Sequence, residues 1–335
     1  MTQLERRQIR NGLLFAAPWL IGLGIFLAYP IFTSLYLSFC DYSTLQPPVW
    51  IGTQNYQDLA QDEVFYKSLR NTLVFAALSL PAGMVVALLL AILLNTGVKG
   101  LPIFRTIFYL PSLVPLVASA MLWLWVFNGQ YGILNYALSG PLDAINHVLA
   151  WGPISATLSW FNSTWLMSSA LGLSIPTHWT PPTWLGDPNW AKPALAIMSV
   201  WAVGGTMMVY LAGLQDVPTE LYEAAEIDGA GWWGKLRHVT LPCLSPVIYF
   251  TLIVGLIGVM QYFATAYIMC GGQFGGSAGE PDRSTLFYTI YLWAHAFEYL
   301  RMGYACAMAW ILFIIVLILT LIAHKTASKR ITYSG

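Results

Sequence analysis

The stretch Gln215-Asp-Val-Pro-Thr-Glu-Leu-Tyr-Glu-Ala-Ala-Glu-Ile-Asp-Gly-Ala-Gly-Trp-Trp-Gly-Lys-Leu-Arg-His-Val-Thr-Leu-Pro-Cys-Leu-Ser245 differs from everything around it. Five acids, Asp216, Glu220, Glu223, Glu226 and Asp228, fall within thirteen residues, a third of the fifteen in the chain. Local chemistry predicts a short helix. Asp216 or Thr219 can cap it, and Pro218 suits a first turn. Acids in the opening turns complement the helix dipole, Ala224 and Ala225 are strong helix formers, and Gly229 is a natural stop. Glu220, Glu223 and Glu226 recur every third residue and lie along one side. Two readings remain: a solvated acidic turn, or a compact helix that docks into another protein. The small Ala pair, the Gly stop and the Trp232-Trp233 pair favour the second.

On both sides the chain is apolar. It has 335 residues, 57% of them hydrophobic and only 9% charged. That charge deficit excludes a disordered chain and a nucleic-acid binder, and it points to a polytopic membrane protein. A span needs about 20 apolar residues to cross about 30 Å of hydrocarbon. Six charge-free runs qualify: 12–39, 72–94, 108–127, 194–214, 247–269 and 303–323. Pro18, Pro30, Pro81, Pro111 and Pro115 lie in or beside them, which neighbouring helices can accommodate. Residues 156–175 also lack charge, but eight of the twenty are Ser, Thr or Asn. They read as an interfacial or re-entrant segment.

The basic residues test this count. With six spans and both termini cytoplasmic, the inside segments hold Arg6, Arg7, Arg10, Lys99, Arg105, Lys235, Arg237, Lys325, Lys329 and Arg330. The outside segments hold only Lys67, Arg70, Lys192, Arg283 and Arg301. Ten against five obeys the positive-inside rule. A seventh span at 156–175 would make it six against nine. The resulting organisation is 1–70 (cytoplasmic N-terminus, first span, first outside loop), 71–325 (a core of five spans with outside loop 128–192 and cytoplasmic loop 215–245) and 326–335 (basic cytoplasmic tail). Loop 128–192 carries Trp151, Trp160, Trp165, Trp179, Trp184 and Trp190. These fit an aromatic belt at the lipid headgroups, a protein-docking surface, or both. The four cysteines form no CxxC, so neither a metal knuckle nor a redox pair is indicated. They read as small buried apolar residues, with a Cys40–Cys270 bridge as the weaker alternative.

Glu223-Ala224-Ala225, Gly229 after three residues, then Val239 and Leu241-Pro242 resemble the EAA loop of binding-protein-dependent ABC importers. The chain has Val239 where that family's pattern has Ile. Leu211-Ala-Gly-Leu-Gln215, Pro218 and Asp228-Gly-Ala230 resemble the carbohydrate-uptake permeases of the maltose, lactose and glycerol-phosphate type. So do Gly52–Tyr56 with Asn71-Thr72-Leu73, the Leu110-Pro111 pair, and Gly271-Gly272 followed by Ser284-Thr285. The resemblance implies an all-α, six-span type I ABC importer permease in the bacterial inner membrane, surrounded by lipid. Its implied partners are a second homologous permease, a cytoplasmic ATPase dimer that binds ATP and Mg, and an extracytoplasmic solute-binding protein. Residues 223–229 would be the coupling helix, with Glu223 as anchor, Ala224 and Ala225 allowing close approach, Gly229 permitting the turn, and Asp228, Leu241 and Pro242 completing the motif.

Two features of the sequence agree with that implication. No Walker A motif is present, since Gly234-Lys235 is followed by Leu236. The six runs contain no Asp, Glu, Lys, Arg or His, whereas ion-coupled carriers usually keep ionisable groups in the membrane. Polar candidates for a solute pathway are Gln261, Tyr262, Thr265, Ser199 and Thr206, with Trp201 as a stacking surface; each also reads as a helix-packing residue. The alternatives are an ion-coupled secondary transporter and, more remotely, an intramembrane serine protease using Ser277 of Gly275-Gly-Ser-Ala-Gly279 with His295. Ser277 lies in a Gly-rich loop with no strand before it, so no catalytic residue is assigned, and no metal or nucleic-acid site is expected.

Overall fold

The computed structural model describes residues 3–96, 100–152, 154–155, 179–271 and 279–327. Segment 156–175, the tail from 328, Lys99, Gly272 and Ser277 lie outside the described residues. The described chain is helical apart from one two-stranded antiparallel hairpin. It divides into two compact units, Met1–Leu69 with Tyr288–Thr326, and Arg70–Phe287.

In the first unit, α1 (Gln3–Leu23) passes through a π turn, Gly24–Ala28, into α2 (Tyr29–Leu37). Pro30 sits just beyond that turn. It lacks an N–H and crowds the carbonyl one turn back, and the helix widens there so that the Tyr29 N–H reaches Gly24 O. The hairpin β1 (Cys40–Ser43) and β2 (Gln46–Trp50) pairs Cys40 with Trp50 and Asp41 with Val49. Helix α3 (Gln54–Gln61) follows, and its buried Asn55 amide donates to Ser38 O at 3.0 Å and Cys40 O at 2.9 Å. All four cysteines are free thiols, so the Cys40–Cys270 bridge is not made; the Cys40 Sγ faces Tyr36 O at 3.5 Å.

Helix α4 (Glu63–Leu94) starts on Asp62, whose Oδ1 accepts from the Val64 and Phe65 N–H groups at 2.9 and 3.2 Å. That is an N-cap. The other carboxylate oxygen accepts from the hydroxyls of Tyr291 at 2.6 Å and Tyr304 at 2.8 Å. Burial acts to raise the Asp62 carboxyl, but the bonds from Tyr291, Tyr304, Phe65 and Val64 outweigh it and hold the group below the usual carboxylate range.

The second unit contains α5 (Leu101–Leu113), α6 (Leu116–Val126), α7 (Ile133–Leu149), α8 (Pro188–Trp201), α9 (Gly204–Gln215), α10 (Thr219–Ile227), α11 (Trp232–Lys235), a π turn (Leu236–Thr240), α12 (Leu241–Met260) and α13 (Ala264–Cys270). Ala87, Ala91 and Leu94 of α4 meet Met207, Tyr210, Leu211 and Leu214 of α9 and Leu244 of α12 in one buried cluster. The i, i+4, i+7 spacing puts each set on one helix face, and the alanines let the backbones approach. The Tyr210 hydroxyl is satisfied by Thr251 Oγ1 at 2.7 Å.

Four helical stretches are long and apolar enough to span, Arg10–Leu37, Glu63–Leu94, Trp232–Met260 and Met302–Thr326, and two bent pairs bring the number to as many as six. The structure amends three of the six runs. Residues 108–127 are not one rod: Leu101–Leu113 and Leu116–Val126 meet at 97°. Pro115 disfavours the helical region at Val114, which is extended at ψ 129°. Residues 194–214 bend by 49° between Trp201 and Gly204. The 247–269 run stops at Met260, and Ala264–Cys270 restarts as a separate helix packed on α6.

Candidate functional site

The acidic loop forms the helix α10, Thr219–Ile227. Neither Asp216 nor Thr219 caps it, against expectation. Pro218 occupies the N-cap position with φ −58° and ψ 132°, a backbone that suits the role but carries no side-chain acceptor. Asp216 instead ends α9. At the other end the Gly229 N–H donates to Glu226 O at 3.0 Å and the Ala230 N–H to Ala225 O at 2.8 Å. These two bonds are the Schellman pattern, which needs a left-handed residue after the cap, and Gly229 has φ +76°. Asp228 is the C-cap and is exposed.

The helix is tied down from one side. The Tyr222 hydroxyl and Thr240 Oγ1 lie 3.1 Å apart, and Thr240 also donates to Lys235 O at 3.3 Å. Lys235 pairs with Glu226 at 3.3 Å. Glu226 is thereby paired within its own chain though still exposed, while Glu220, Glu223 and Ala224 are exposed and Ala225 is half-buried. Leu241 and Pro242 open α12 directly behind the buried Val239 and Thr240, with Pro242 in the first turn where its missing N–H costs nothing. Ile227 is 87% exposed, Trp233 is 74% exposed, and the two Trp rings contact edge to face at 4.8 Å. The result is a short, rigid, acidic helix with apolar groups at its end, presented outward. Tyr222→Phe should lower stability by about 1 kcal/mol, one neutral hydrogen bond, with the loss localised as faster hydrogen exchange across residues 219–240.

The pathway candidates separate into groups. The Tyr262 hydroxyl faces those of Thr265 and Ser199, while its ring packs on Phe75 at 4.6 Å and Phe287 at 5.6 Å. Trp201 contacts Trp123 edge to face at 5.8 Å. Gln261 is exposed at the end of α12. Thr206 is apart from these, lining a cavity of about 400 Å³ with Ser79, Gly83, Val209, Thr251 and Gly255. Sequence reading did not connect Asn71 with residues 283–286; its amide donates to Arg283 O at 2.8 Å and Leu286 O at 3.1 Å. It had nonetheless marked the Asn71-Thr72 and Ser284-Thr285 pairs as parts of one pattern.

Residues 79–332 match the family described as binding-protein-dependent transport system inner membrane component, and the chain belongs to it. It is therefore a multi-pass membrane transport subunit, an ABC importer permease. It is 35% identical to a probable ABC transporter permease protein, YesP, of Bacillus subtilis strain 168, over 99% of this chain and 96% of that one. It is 32% identical to the lactose transport system permease protein LacF of Rhizobium radiobacter, over 98% of each. Its fold matches a chain of the bacterial alginate ABC transporter in complex with an alginate pentasaccharide-bound periplasmic protein, at TM-score 0.73 and 24% identity, over 98% of both chains.

Proposed function

We propose that this chain forms half of the translocation pathway of an ATP-driven importer for an uncharged sugar or related polyol. It couples to a separate cytoplasmic ATPase dimer through residues 223–229. The exposed helix α10, locked by the Gly229 cap and with Glu226 already paired, carries this reading: it presents Glu220 and Glu223 to a partner instead of to its own chain. ATP and Mg²⁺ are bound by the partner. A second permease completes the pathway, and an extracytoplasmic protein delivers the solute, as the alginate neighbour's periplasmic protein suggests. The N- and C-termini lie in the cytoplasm, in keeping with the ten-to-five bias of basic residues. The lactose relative supports a sugar, and the six apolar runs, free of ionisable residues, support an uncharged one.

The geometry supports a rigid-body switch. A helix fixed to α12 through Tyr222 and Thr240 moves with that span when its partner moves. The experiment is uptake of a radiolabelled sugar into proteoliposomes holding the full complex. Glu223→Ala should reduce ATP-dependent uptake about ten- to hundredfold, the equivalent of one charge-assisted hydrogen bond of about 1.5–3 kcal/mol. Undiminished uptake by that variant, or uptake without the ATPase, would sink the proposal.

A further inference from the structure

At the opposite end of the second unit's spans from α10, the turn after α6 is built to a tight specification. Asn128 Oδ1 accepts from the Gln130 and Tyr131 N–H groups, both at 2.9 Å. The Gly132 N–H returns to Asn128 O at 2.9 Å. A Cβ on Gly132 would collide with the carbonyl oxygens of Asn128 and Val126, so no other residue closes this turn. Asn135, buried, donates to Gly129 O at 3.0 Å and Pro182 O at 3.2 Å, and its Oδ1 accepts from the buried Trp184 Nε1 at 2.7 Å. The turn, the start of α7 and the 181–184 strap are thus pinned to one another.

On this frame lies a cavity of about 530 Å³, lined by Gln130, Tyr131, Tyr136, Ser139 and Pro181 among others. Tyr131 is 80% exposed and Tyr136 85% exposed, although the backbone beneath them is fixed. Among the described residues, no lining side chain is charged. The Ser139 hydroxyl donates to Tyr136 O at 2.8 Å and keeps its lone pairs for an acceptor role.

We infer that this groove is a binding subsite for an uncharged saccharide. The volume falls within the usual range for small-molecule sites, about 300–1,000 Å³. Tyr side chains supply rigid amphipathic area at low entropic cost, and a ring face matches the C–H face of a pyranose. Gln130, Ser139 and the two phenols then exchange hydrogen bonds with ring hydroxyls. A purely apolar ligand would strip water from those groups without replacing its bonds, and an anion would meet no positive charge. The inference adds a second site to the importer reading and takes its ligand class from the lining itself.

The test is binding alone, with no ATPase or binding protein, so its failure leaves the transport proposal standing. The full chain in lipid nanodiscs is titrated with maltotetraose, xylotetraose, galactotetraose and, as the anionic probe, trigalacturonate, using saturation-transfer NMR and calorimetry. At least one neutral tetrasaccharide should bind, and trigalacturonate should not. Tyr131→Ala and Tyr136→Ala should each weaken binding tenfold or more, and Tyr136→Trp should retain it, with far-UV circular dichroism and the thermal unfolding midpoint unchanged throughout. The inference is overturned if no neutral tetrasaccharide binds, if trigalacturonate binds equally well, or if the double Ala variant binds like the parent. It also falls if, in a separate pull-down with the cognate solute-binding protein, the Ala variants lose capture of that protein while saccharide binding is unchanged, which would make the groove a protein-docking surface.

Discussion

Gly229→Val should cut the proposed ATP-driven uptake by up to about 30-fold while insertion and the pinned core of the second unit persist. Gly229 has φ +76°, and its N–H together with that of Ala230 closes the end of α10. A β-branched residue in that region is a genuine outlier, with a cost of about 2 kcal/mol within a usual range of about 1–3 kcal/mol. The strain is relieved if the turn opens, which lets α10 unwind from its last turn and frees Trp232 and Trp233 to move. At about 1.4 kcal/mol per tenfold, 2 kcal/mol lowers the equilibrium constant for the closed turn about 30-fold, which sets the upper bound on the loss of apparent affinity for the proposed partner. Open space surrounds the position, with no heavy atom within 4 Å of a built Cβ, so the effect comes from the backbone and not from a clash. Gly229→Asn separates the two explanations. Asn tolerates the left-handed region, so it should restore most of the uptake that Val removes. Wild-type uptake by the Val variant, or equal loss with Asn and Val, would refute the backbone argument.

This loop was largely legible in the sequence because its determinants are local. A stop residue, two alanines and acids in the first turns specify a helix over a few residues. Its start was misjudged for a local reason too: Asp216 and Thr219 are good caps, yet Pro218 already held the extended conformation that the position needs. The spans were legible as apolar runs, but their breaks were not. Pro115 was visible, and whether a proline kinks or stops a span depends on the neighbours that satisfy its freed groups; here the chain turns by 97°. Least legible were contacts between distant segments. Asp62 meets Tyr291 and Tyr304, 229 and 242 residues away. Only the cap half of that role, an Asp just before an apolar helix, has a sequence signature. The Tyr131–Tyr136 groove has none, because its frame depends on Asn135 reaching Trp184 across 49 residues.

Asp62→Ala should destabilise the first unit by about 3 kcal/mol. The N-cap accounts for about 1 kcal/mol. Each Tyr hydroxyl donating to the carboxylate contributes about 1.5–3 kcal/mol when the acceptor is charged and dry, and about half that for a carboxylate that water partly reaches. Tyr304 is buried, so its orphaned hydroxyl adds a desolvation cost that a surface residue would not. Asp62→Asn keeps a good cap and an acceptor and should recover about half. The check is hydrogen exchange across residues 62–66 and 288–304, where opening should accelerate about 100-fold for Ala; a change below about 0.5 kcal/mol would refute the assignment. The pH dependence has a defined sign. The folded Asp62 carboxyl is held low, so its contribution is present above the usual carboxylate range and is lost as pH falls through the lower folded value. His295 acts in a higher window. Its residue is 5% exposed, neither ring nitrogen has a hydrogen-bond partner among the described residues, and it lies against Tyr291 and Tyr304 at 4.5 and 4.4 Å. Burial first, then the Arg301 charge, push it down to about 4 despite Asp62. Between about 6.5 and 4 the unfolded chain takes up a proton that the folded unit refuses, so stability falls with pH across that interval. His295→Phe should flatten that limb and leave the Asp62 limb below it intact. Two separable acid transitions in the parent, with only the upper one abolished by His295→Phe, is the expected result.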